Sequence, residues 1–213
     1  MSEEFNNKTK PLFISLEGSE GVGKTTSLNY IKNIIESLGH QVMVTREPGG
    51  TPLAEEIRNL LLNKREEEVD ANTELLLMFA SRVQHIERVI KPALAKGIWV
   101  ISDRFVDASY AYQGGGRGLG FDRIESLEKW SMGDFLPDLT LLLDMSVEEG
   151  MARTRLRGDS DRFEDEKITF FKTIRKAYLE RAQRSQGRIK IIDASPSQQV
   201  VQDSIKKELD LCL

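Results

Sequence analysis

Short apolar stretches recur along the chain, and each ends in polar or turn-forming residues. They are rich in leucine, valine and isoleucine, and their length suits strands better than helices. The sequence therefore predicts five β-strands, at residues 12–17, 41–47, 98–103, 139–144 and 189–193.

Amphipathic helical patterns lie between these stretches. In the first, Leu28, Ile31 and Ile35 recur at spacings of three and four and the pattern stops at Gly39, a residue that favours a helix C-terminus. Pro92 is expected to end or kink the second helix. Two further helices are marked by Leu76, Phe79, Val83, Ile86 and Ile90, and by Ile168, Phe171, Ile174, Tyr178 and Ala182.

The alternation of apolar strands with helices predicts an α/β fold, with a parallel five-stranded sheet covered by helices on both faces. Such sheets bind ligands beyond the carboxyl ends of their strands. Neither a linker nor a repeat divides the chain, so we expect one domain over residues 1–213. Two segments, 113–120 and 153–162, are expected to be loops or lids, with a lid at about 150–164 and a flexible N-terminus at 1–10.

Charge and cysteine content narrow the class of protein. The chain has 30 lysines and arginines against 34 acidic residues, a net charge of -4, which disfavours nucleic-acid binding. Cys212 is the single cysteine, so no disulfide framework forms within the chain. Residues 1–10 are polar and the apolar run 12–16 is too short for a signal peptide or a membrane span. We expect a cytoplasmic protein without a membrane partner.

The strongest motif is a phosphate-binding loop directly after the first strand. Residues 18–25 match G-x-x-x-x-G-K-[ST] and open the first amphipathic helix. Glycine backbone N–H groups can surround a phosphate, Lys24 can reach the outer phosphates and Thr25 can ligate magnesium. The predicted ligand is ATP with Mg²⁺, bound by Gly18, Ser19, Glu20, Gly21, Val22, Gly23, Lys24, Thr25 and Thr26.

Two acidic positions border this loop. Glu20 would be repelled by polyphosphate unless it meets a hydrogen-bond donor, such as a ligand hydroxyl, or simply faces solvent. Asp103 ends the third strand, where a magnesium-organising acid belongs in P-loop enzymes, and Arg104 beside it could bind an anion. A local salt bridge between Asp103 and Arg104 is the alternative.

Further arginines suggest a second anion site. Arg58 follows the segment 46–50 and could hold a phosphate with its fork, or could pair with nearby glutamates at the surface. The segment 153–162 carries Arg153, Arg155, Arg157 and Arg162 and no lysine. It predicts either a mobile arginine lid suited to a transferring phosphoryl group or a solvated charged face.

Taken together, these motifs resemble those of the thymidylate kinases. The resemblance rests on EGSEGVGKTT at 17–26, TREPGGT at 45–51, the Asp-Arg pair at 103–104 and AYQGGGRG at 111–118, and it spans nearly the whole chain in order. It implies a P-loop nucleoside-monophosphate-kinase fold, transfer of the ATP γ-phosphoryl group to dTMP with Mg²⁺, a place in nucleotide biosynthesis, and a homodimer.

The resemblance also implies roles for individual residues. Lys24, Asp103, Arg153, Arg155 and Arg157 are then catalytic, and Thr25 and Asp103 serve the metal. The lid arginines, without a basic residue at position 21, resemble a bacterial subtype. The implied dTMP-binding residues are Glu20 at the sugar 3′-hydroxyl, Arg58 and Arg104 at the phosphate, Met78, Arg82, Ser109 and Gln113 at the base, Tyr112 at the 2′-position, and Glu47 with no specified contact.

One position departs from the family pattern. Four residues before Arg82 the family commonly has a phenylalanine, whereas this chain has Met78, followed by Phe79. A thioether can lie against a base, so we expect Met78 to contact it; both residues could instead belong to a helix core.

Two other classes remain open from the sequence. The first is another small P-loop kinase with a different acceptor, and the second is a P-loop ATPase or switch without an acceptor. The segment 63–66 does not match the guanine-specificity signature and does not follow a strand, which disfavours the switch.

Overall fold

A computed structural model describes residues 10–154, 163 and 166–212 of the chain. Its strands are β1 (Phe13–Glu17), β2 (Val42–Arg46), β3 (Trp99–Asp103), β4 (Leu139–Asp144) and β5 (Ile189–Asp193). Each lies within the corresponding apolar stretch of the sequence, so the strand predictions are confirmed.

The strands form one parallel sheet in the order β2-β3-β1-β4-β5. The central strand β1 pairs with β3 on one side and β4 on the other, with Ser15 opposite Ser102 and Thr140. This order brings the ends of β1 and β3 side by side. The phosphate-binding loop and the Asp103-Arg104 pair therefore meet at one edge of the sheet, as predicted for a parallel sheet.

Helices cover both faces of the sheet. The described residues contain α1 (Lys24–Ser37), α2 (Pro52–Leu62), α3 (Ala71–His85), α4 (Lys91–Ala95), α5 (Val106–Ser109), α6 (Phe121–Met132), α7 (Val147–Thr154), α8 (Ile168–Arg184) and α9 (Gln198–Asp210). Two π-helical segments join α3 to α4 (Ile86–Ile90) and follow α5 (Tyr110–Gly116). The α/β architecture is thus confirmed.

The first helix follows its sequence pattern closely. Leu28, Ile31 and Ile35 are buried against the sheet, in a core shared with α9. Gly39 follows the helix with φ +86°, a left-handed conformation that glycine adopts without steric cost. The predicted C-terminal signal is confirmed.

Of the two predicted effects of Pro92, an end of the helix is wrong, whereas a kink stays a prediction. The chain passes from α3 through the π-helical segment directly into α4, where Pro92 lies in the first turn. Pro92 has no N–H to donate to the preceding turn, which is the π-helical segment, and helical structure continues past it to Ala95. The spacing also misplaced Leu76, whose side chain is 57% exposed rather than in the core.

The predicted loop at 113–120 is also partly wrong. Its first residues belong to the π-helical segment Tyr110–Gly116, which packs on α8. A Cβ on Gly115 would lie 2.5 Å from the Cβ of Ala177, and one on Gly116 would lie 2.6 Å from the Phe170 ring. These glycines therefore allow close helix packing, a role that glycine content alone does not distinguish from a loop.

Candidate functional site

The phosphate-binding loop connects β1 to α1 in a conformation that needs glycine. Gly18 and Gly23 have φ values of +138° and +90°. Lys24 lies in the first turn of α1, and its Nζ donates to the carbonyl oxygens of Gly18 and Ser19 at 3.1 and 3.0 Å. Burial and the nearby Arg104 charge lower the pKa of Lys24. The Lys24 ammonium group is thus held by carbonyl oxygens of the phosphate-binding loop itself.

A glycine contact joins this loop to α7. A Cβ on Gly21, whose φ is +77°, would lie 2.0 Å from the Gly150 carbonyl oxygen. A Cβ on Gly150 would in turn lie 2.7 Å from the Glu20 carbonyl oxygen. A basic side chain at position 21 would therefore require α7 to move, which gives a steric reason for its absence here.

Glu20 faces Arg104 and Tyr112. The Arg104 Nη2 donates to both Glu20 Oε1 and, at 2.9 Å, the Tyr112 hydroxyl, which itself donates to Glu20 Oε1 at 3.2 Å. Burial acts to raise the pKa of Glu20, but the charges of Arg104 and Lys24 outweigh it and lower the pKa to about 2. Glu20 is thus ionised at neutral pH and held within the chain, rather than facing solvent.

The Asp103-Arg104-Phe105 turn is held by β1. Arg104 has φ +67°, an uncommon conformation for a residue with a side chain, and its N–H donates to the Leu16 carbonyl at 2.9 Å. The next N–H, of Phe105, donates to Glu17 Oε1 at 2.7 Å. Strand β1 therefore fixes the turn that presents Asp103 and Arg104.

Asp103 suits a metal ion. Its Oδ1 is buried and accepts no hydrogen bond from any residue in the described part of the chain. It stands at the carboxyl end of β3, next to the strand that leads into the phosphate-binding loop. Thr25 is in the first turn of α1, the other predicted ligand position. Few protein ligands are usual for Mg²⁺ beside phosphates, so these residues fit the ion.

A cleft that encloses about 520 Å³, part of it open to solvent, lies beside the loop. Every residue predicted for the acceptor site lines it, namely Glu20, Glu47, Arg58, Met78, Arg82, Arg104, Ser109, Tyr112 and Gln113. The sequence analysis did not identify the other lining residues, Pro48, Leu62, Phe105, Ala108 and Phe163. These carry no chemical signal of their own, and only the fold brings them together.

Arg82 is buried in the cleft wall, where its guanidinium group donates hydrogen bonds to three residues. Its Nε donates to Glu47 Oε2 at 2.7 Å, its Nη1 to Ser109 Oγ at 3.0 Å and its Nη2 to the Phe105 carbonyl at 3.1 Å. His85 Nδ1 lies 2.9 Å from the other oxygen of Glu47. His85 therefore belongs to this buried network, and the Glu47 carboxylate orients both His85 and Arg82.

Met78 and Phe79 occupy different environments. Met78 lines the cleft. Phe79 is 2% exposed in the core cluster that includes Phe13 and Phe105, and its ring lies 4.9 Å from the Arg82 guanidinium carbon. Only Met78 of the two therefore faces the cleft.

Of the remaining predicted arginines, Arg58 and Arg153 lie in the described part of the chain. Arg58 Nη1 donates to the Pro48 carbonyl at 2.9 Å, which orients it at the cleft rim. Arg153, in α7, donates to the carbonyls of Ala194 and Ser195 at 3.3 and 3.4 Å. Arg155, Arg157 and Arg162 lie outside the described residues, and so does most of the lid segment.

Two buried carboxylates beneath the site escaped the sequence analysis. Glu17 Oε2 accepts from the Tyr178 hydroxyl at 2.8 Å, and burial, with the charge of Asp107, raises the pKa of Glu17 to about 8. Asp107 accepts hydrogen bonds from Arg181 and Arg188 at 2.7 to 2.9 Å. The partners are distant in sequence, so no local motif marked them.

None of the helices in the described ranges is long and apolar enough to span a membrane.

The thymidylate kinase family model matches residues 16–205 of this chain. A thymidylate kinase of Hahella chejuensis is 54% identical over 200 residues, which are 94% of this chain and 96% of that protein. One of Nitrosospira multiformis is 52% identical over 197 residues, 92% of this chain and 96% of that protein. A crystal structure of thymidylate kinase from Ehrlichia chaffeensis, 31% identical, superimposes with a TM-score of 0.73 over 95% of this chain and 99% of that one. This chain therefore belongs to the thymidylate kinase family.

Proposed function

We propose that this chain is a dTMP kinase, which transfers the γ-phosphoryl group of ATP to dTMP and forms dTDP for nucleotide biosynthesis. Family membership supports this activity. The observation that carries it is a second, arginine-bearing cleft directly beside the phosphate-binding loop, with Glu20 on the wall between them. A P-loop ATPase without an acceptor has no use for such a cleft.

In this proposal the loop binds the donor. Backbone N–H groups of residues 18–25 and the Lys24 ammonium group surround the β- and γ-phosphates. Lys24 would exchange its bonds to the Gly18 and Ser19 carbonyls for phosphate oxygens. Thr25 and Asp103 would hold Mg²⁺, which neutralises developing charge on the phosphates when it is bound.

The acceptor lies in the cleft with its phosphate towards Arg58 and Arg104. A nucleoside monophosphate has a second pKa near 6, so at neutral pH its phosphate is largely a dianion and needs no general base. The Arg104 Nε is buried without a hydrogen-bond partner in the described part of the chain, so it has capacity for an anion. The work of the protein is then to align the acceptor oxygen with the γ-phosphorus and to neutralise charge.

The base and sugar occupy the deeper part of the cleft. Met78 lies against the base face, Arg82 and Gln113 meet the base edge, and Tyr112 closes the space at the sugar 2′-position. Glu20 meets the 3′-hydroxyl, with Ser109 beside Arg82. Arg153, Arg155 and Arg157 stay predicted as lid arginines that stabilise the transferring group. We also propose that the enzyme works in the cytoplasm as a homodimer, with residues 1–213 as one domain.

The test is ADP release in a coupled assay with ATP and Mg²⁺, against dTMP, dUMP, AMP, GMP and CMP, with a control lacking an acceptor. We expect dTMP to give the highest kcat/KM, with dUMP second because the thymine methyl group contributes only about 1 to 3 kcal/mol. Preference for another acceptor would identify a different small kinase. Equal ADP release with and without acceptor would identify an ATPase.

A further inference from the structure

We propose that Glu74 is a specificity-determining residue, because it turns the Gln113 side chain so that a carbonyl oxygen faces the base and thereby selects pyrimidines that carry a hydrogen on N3. This inference rests on the proposed function, since it concerns the acceptor that the cleft receives. Glu74 does not line the cleft, and no sequence motif singled it out. It acts through Gln113 as a positioning residue.

The contact that carries the inference is a buried hydrogen bond. Gln113 Nε2 donates to Glu74 Oε1 at 2.8 Å, and the two residues are 1% and 0% exposed. An ionised carboxylate has no hydrogen to donate, so the end of the Gln113 amide that meets it must be the NH₂ group. The orientation of this amide therefore follows from chemistry and not from the similar shapes of its two ends.

Two features place positive charge beside the Glu74 carboxylate. The first is Arg117, whose Nε lies 3.3 and 3.4 Å from the two Glu74 oxygens. The second is the position of Glu74 in the first turn of α3, where the helix dipole favours a negative charge. Both features complement a negative charge on Glu74, and a carboxylate complemented in this way acts as a hydrogen-bond acceptor towards Gln113.

Arg117 is itself fixed in place. Its Nη1 donates to Glu166 at 2.5 Å, and its guanidinium carbon lies 4.7 and 5.5 Å from the rings of Phe170 and Phe163. Phe163 also lines the cleft. The pair Glu74 and Arg117 is therefore held from two sides, and rotation of Gln113 would leave a buried charge facing a carbonyl oxygen.

The opposite end of the Gln113 amide is available to a ligand. Gln113 lines the cleft, and its Oε1 accepts no hydrogen bond from the described residues. Arg82 lines the same wall, and its remaining Nη hydrogens can donate. A fixed acceptor near a fixed donor matches thymine, which has a donor at N3 and an acceptor at O4. Cytosine reverses both groups, with an acceptor at N3 and a donor at N4.

The experiment compares dTMP with 5-methyl-dCMP as acceptors. These nucleotides share the methyl group and differ only in the hydrogen-bonding groups at N3 and position 4. The test variant is Glu74→Gln, which keeps the size of the side chain but lets either amide end meet Gln113. We expect its ratio of kcat/KM for dTMP over 5-methyl-dCMP to fall by about tenfold or more, because the selective hydrogen bond is no longer enforced.

Two further variants separate specificity from stability. Glu166→Gln removes the other carboxylate partner of Arg117 without touching Gln113, and we expect its acceptor ratio to stay within about twofold of the wild type. Glu74→Asp keeps the acceptor-only carboxylate, so it should retain the ratio within about threefold even where both kcat/KM values fall. Glu74→Asp also supplies the test if Glu74→Gln does not fold: loss of its acceptor ratio would overturn the proposal.

The outcomes are distinct. If the wild type does not phosphorylate dTMP, the proposed function fails before Glu74 is tested. If the wild type prefers dTMP but folded Glu74→Gln keeps the wild-type acceptor ratio, the proposed role of Glu74 is wrong while the kinase activity stands. An equal fall of both kcat/KM values in Glu74→Gln would likewise overturn it, because that pattern indicates a structural role alone.

Discussion

Arg82 and Glu47 form an ion pair inside the cleft wall, with Arg82 Nε 2.7 Å from Glu47 Oε2 and side chains only 2% and 3% exposed. The pair joins α3 to the turn after β2, two elements far apart in sequence. Its geometry orients the guanidinium towards the cleft, so the residue proposed to meet the base is also part of the core.

Arg82→Met should destabilise the folded chain. It leaves the buried Glu47 carboxylate without its charged partner, so we expect the free energy of unfolding to fall by about 3 to 5 kcal/mol in urea titrations. The matched control is Arg46→Met, which breaks an exposed pair with Glu55 and should cost no more than about 1 kcal/mol. Equal losses in the two variants would contradict this view of the cleft wall.

Asp103→Asn should change the magnesium dependence of activity. The substitution removes the charge of a carboxylate whose Oδ1 is uncommitted, so we expect the Mg²⁺ concentration for half-maximal activity to rise by about tenfold. Asp144→Asn is the control, since Asp144 also ends a strand but accepts from Arg175 at 2.7 and 2.8 Å. An Asp144→Asn variant with the same altered Mg²⁺ dependence would argue against a specific role for Asp103.

Glu17 should make stability fall as pH rises. Burial first, and the Asp107 charge second, raise the pKa of Glu17 from 4.5 to about 8. Between these values the folded chain keeps a proton that the unfolded chain has lost, so the contribution is full below pH 4.5 and is lost by about pH 8.

Glu17→Gln, which cannot titrate, tests this relationship. Its stability relative to the wild type should increase by about 2 to 4 kcal/mol between pH 5 and 8, measured by urea unfolding. Glu20→Gln serves as the control because the pKa of Glu20 lies near 2, so its difference from the wild type should stay nearly constant over that range. A flat profile for Glu17→Gln would mean that Glu17 is ionised in the folded chain at pH 5.

Gly150→Ala should weaken ATP binding. The new Cβ would lie 2.7 Å from the Glu20 carbonyl oxygen, which forces the phosphate-binding loop or α7 to shift. Overpacking of this kind costs about 1 to 3 kcal/mol, and we expect the KM for ATP to rise by at least about threefold. The control is Glu148→Ala, on the same helix as Gly150. It removes an exposed ion pair with Lys172 of α8 and should leave the KM for ATP unchanged. If it changes the KM equally, the effect belongs to α7 and not to the glycine contact.

The sequence alone determined the sheet and the phosphate-binding loop, and its resemblance to a family indicated residues that line the cleft. Apolar strands and amphipathic helices have local periodicities, and the loop motif is contiguous, so these features are readable without tertiary contacts. Arg82 could be assigned to the site because it matches the family pattern, and Met78 was considered because it lies one helical turn before Arg82, where the family commonly has phenylalanine. The same local reasoning misjudged the glycines at 115 and 116, because glycines that allow close helix packing have the same composition as a loop.

Only the tertiary structure decided which distant side chains contact each other. Glu74 and Gln113 are 39 positions apart, and Glu17 and Tyr178 are 161 positions apart, yet each pair forms a buried hydrogen bond. Phe163, which follows α7 in the sequence, also lines the cleft only because of the fold. Burial and distance set the charge state and orientation of these groups, and neither quantity is encoded in a local pattern. The residues that line the cleft could thus be predicted, whereas the hydrogen bonds that orient them required the fold.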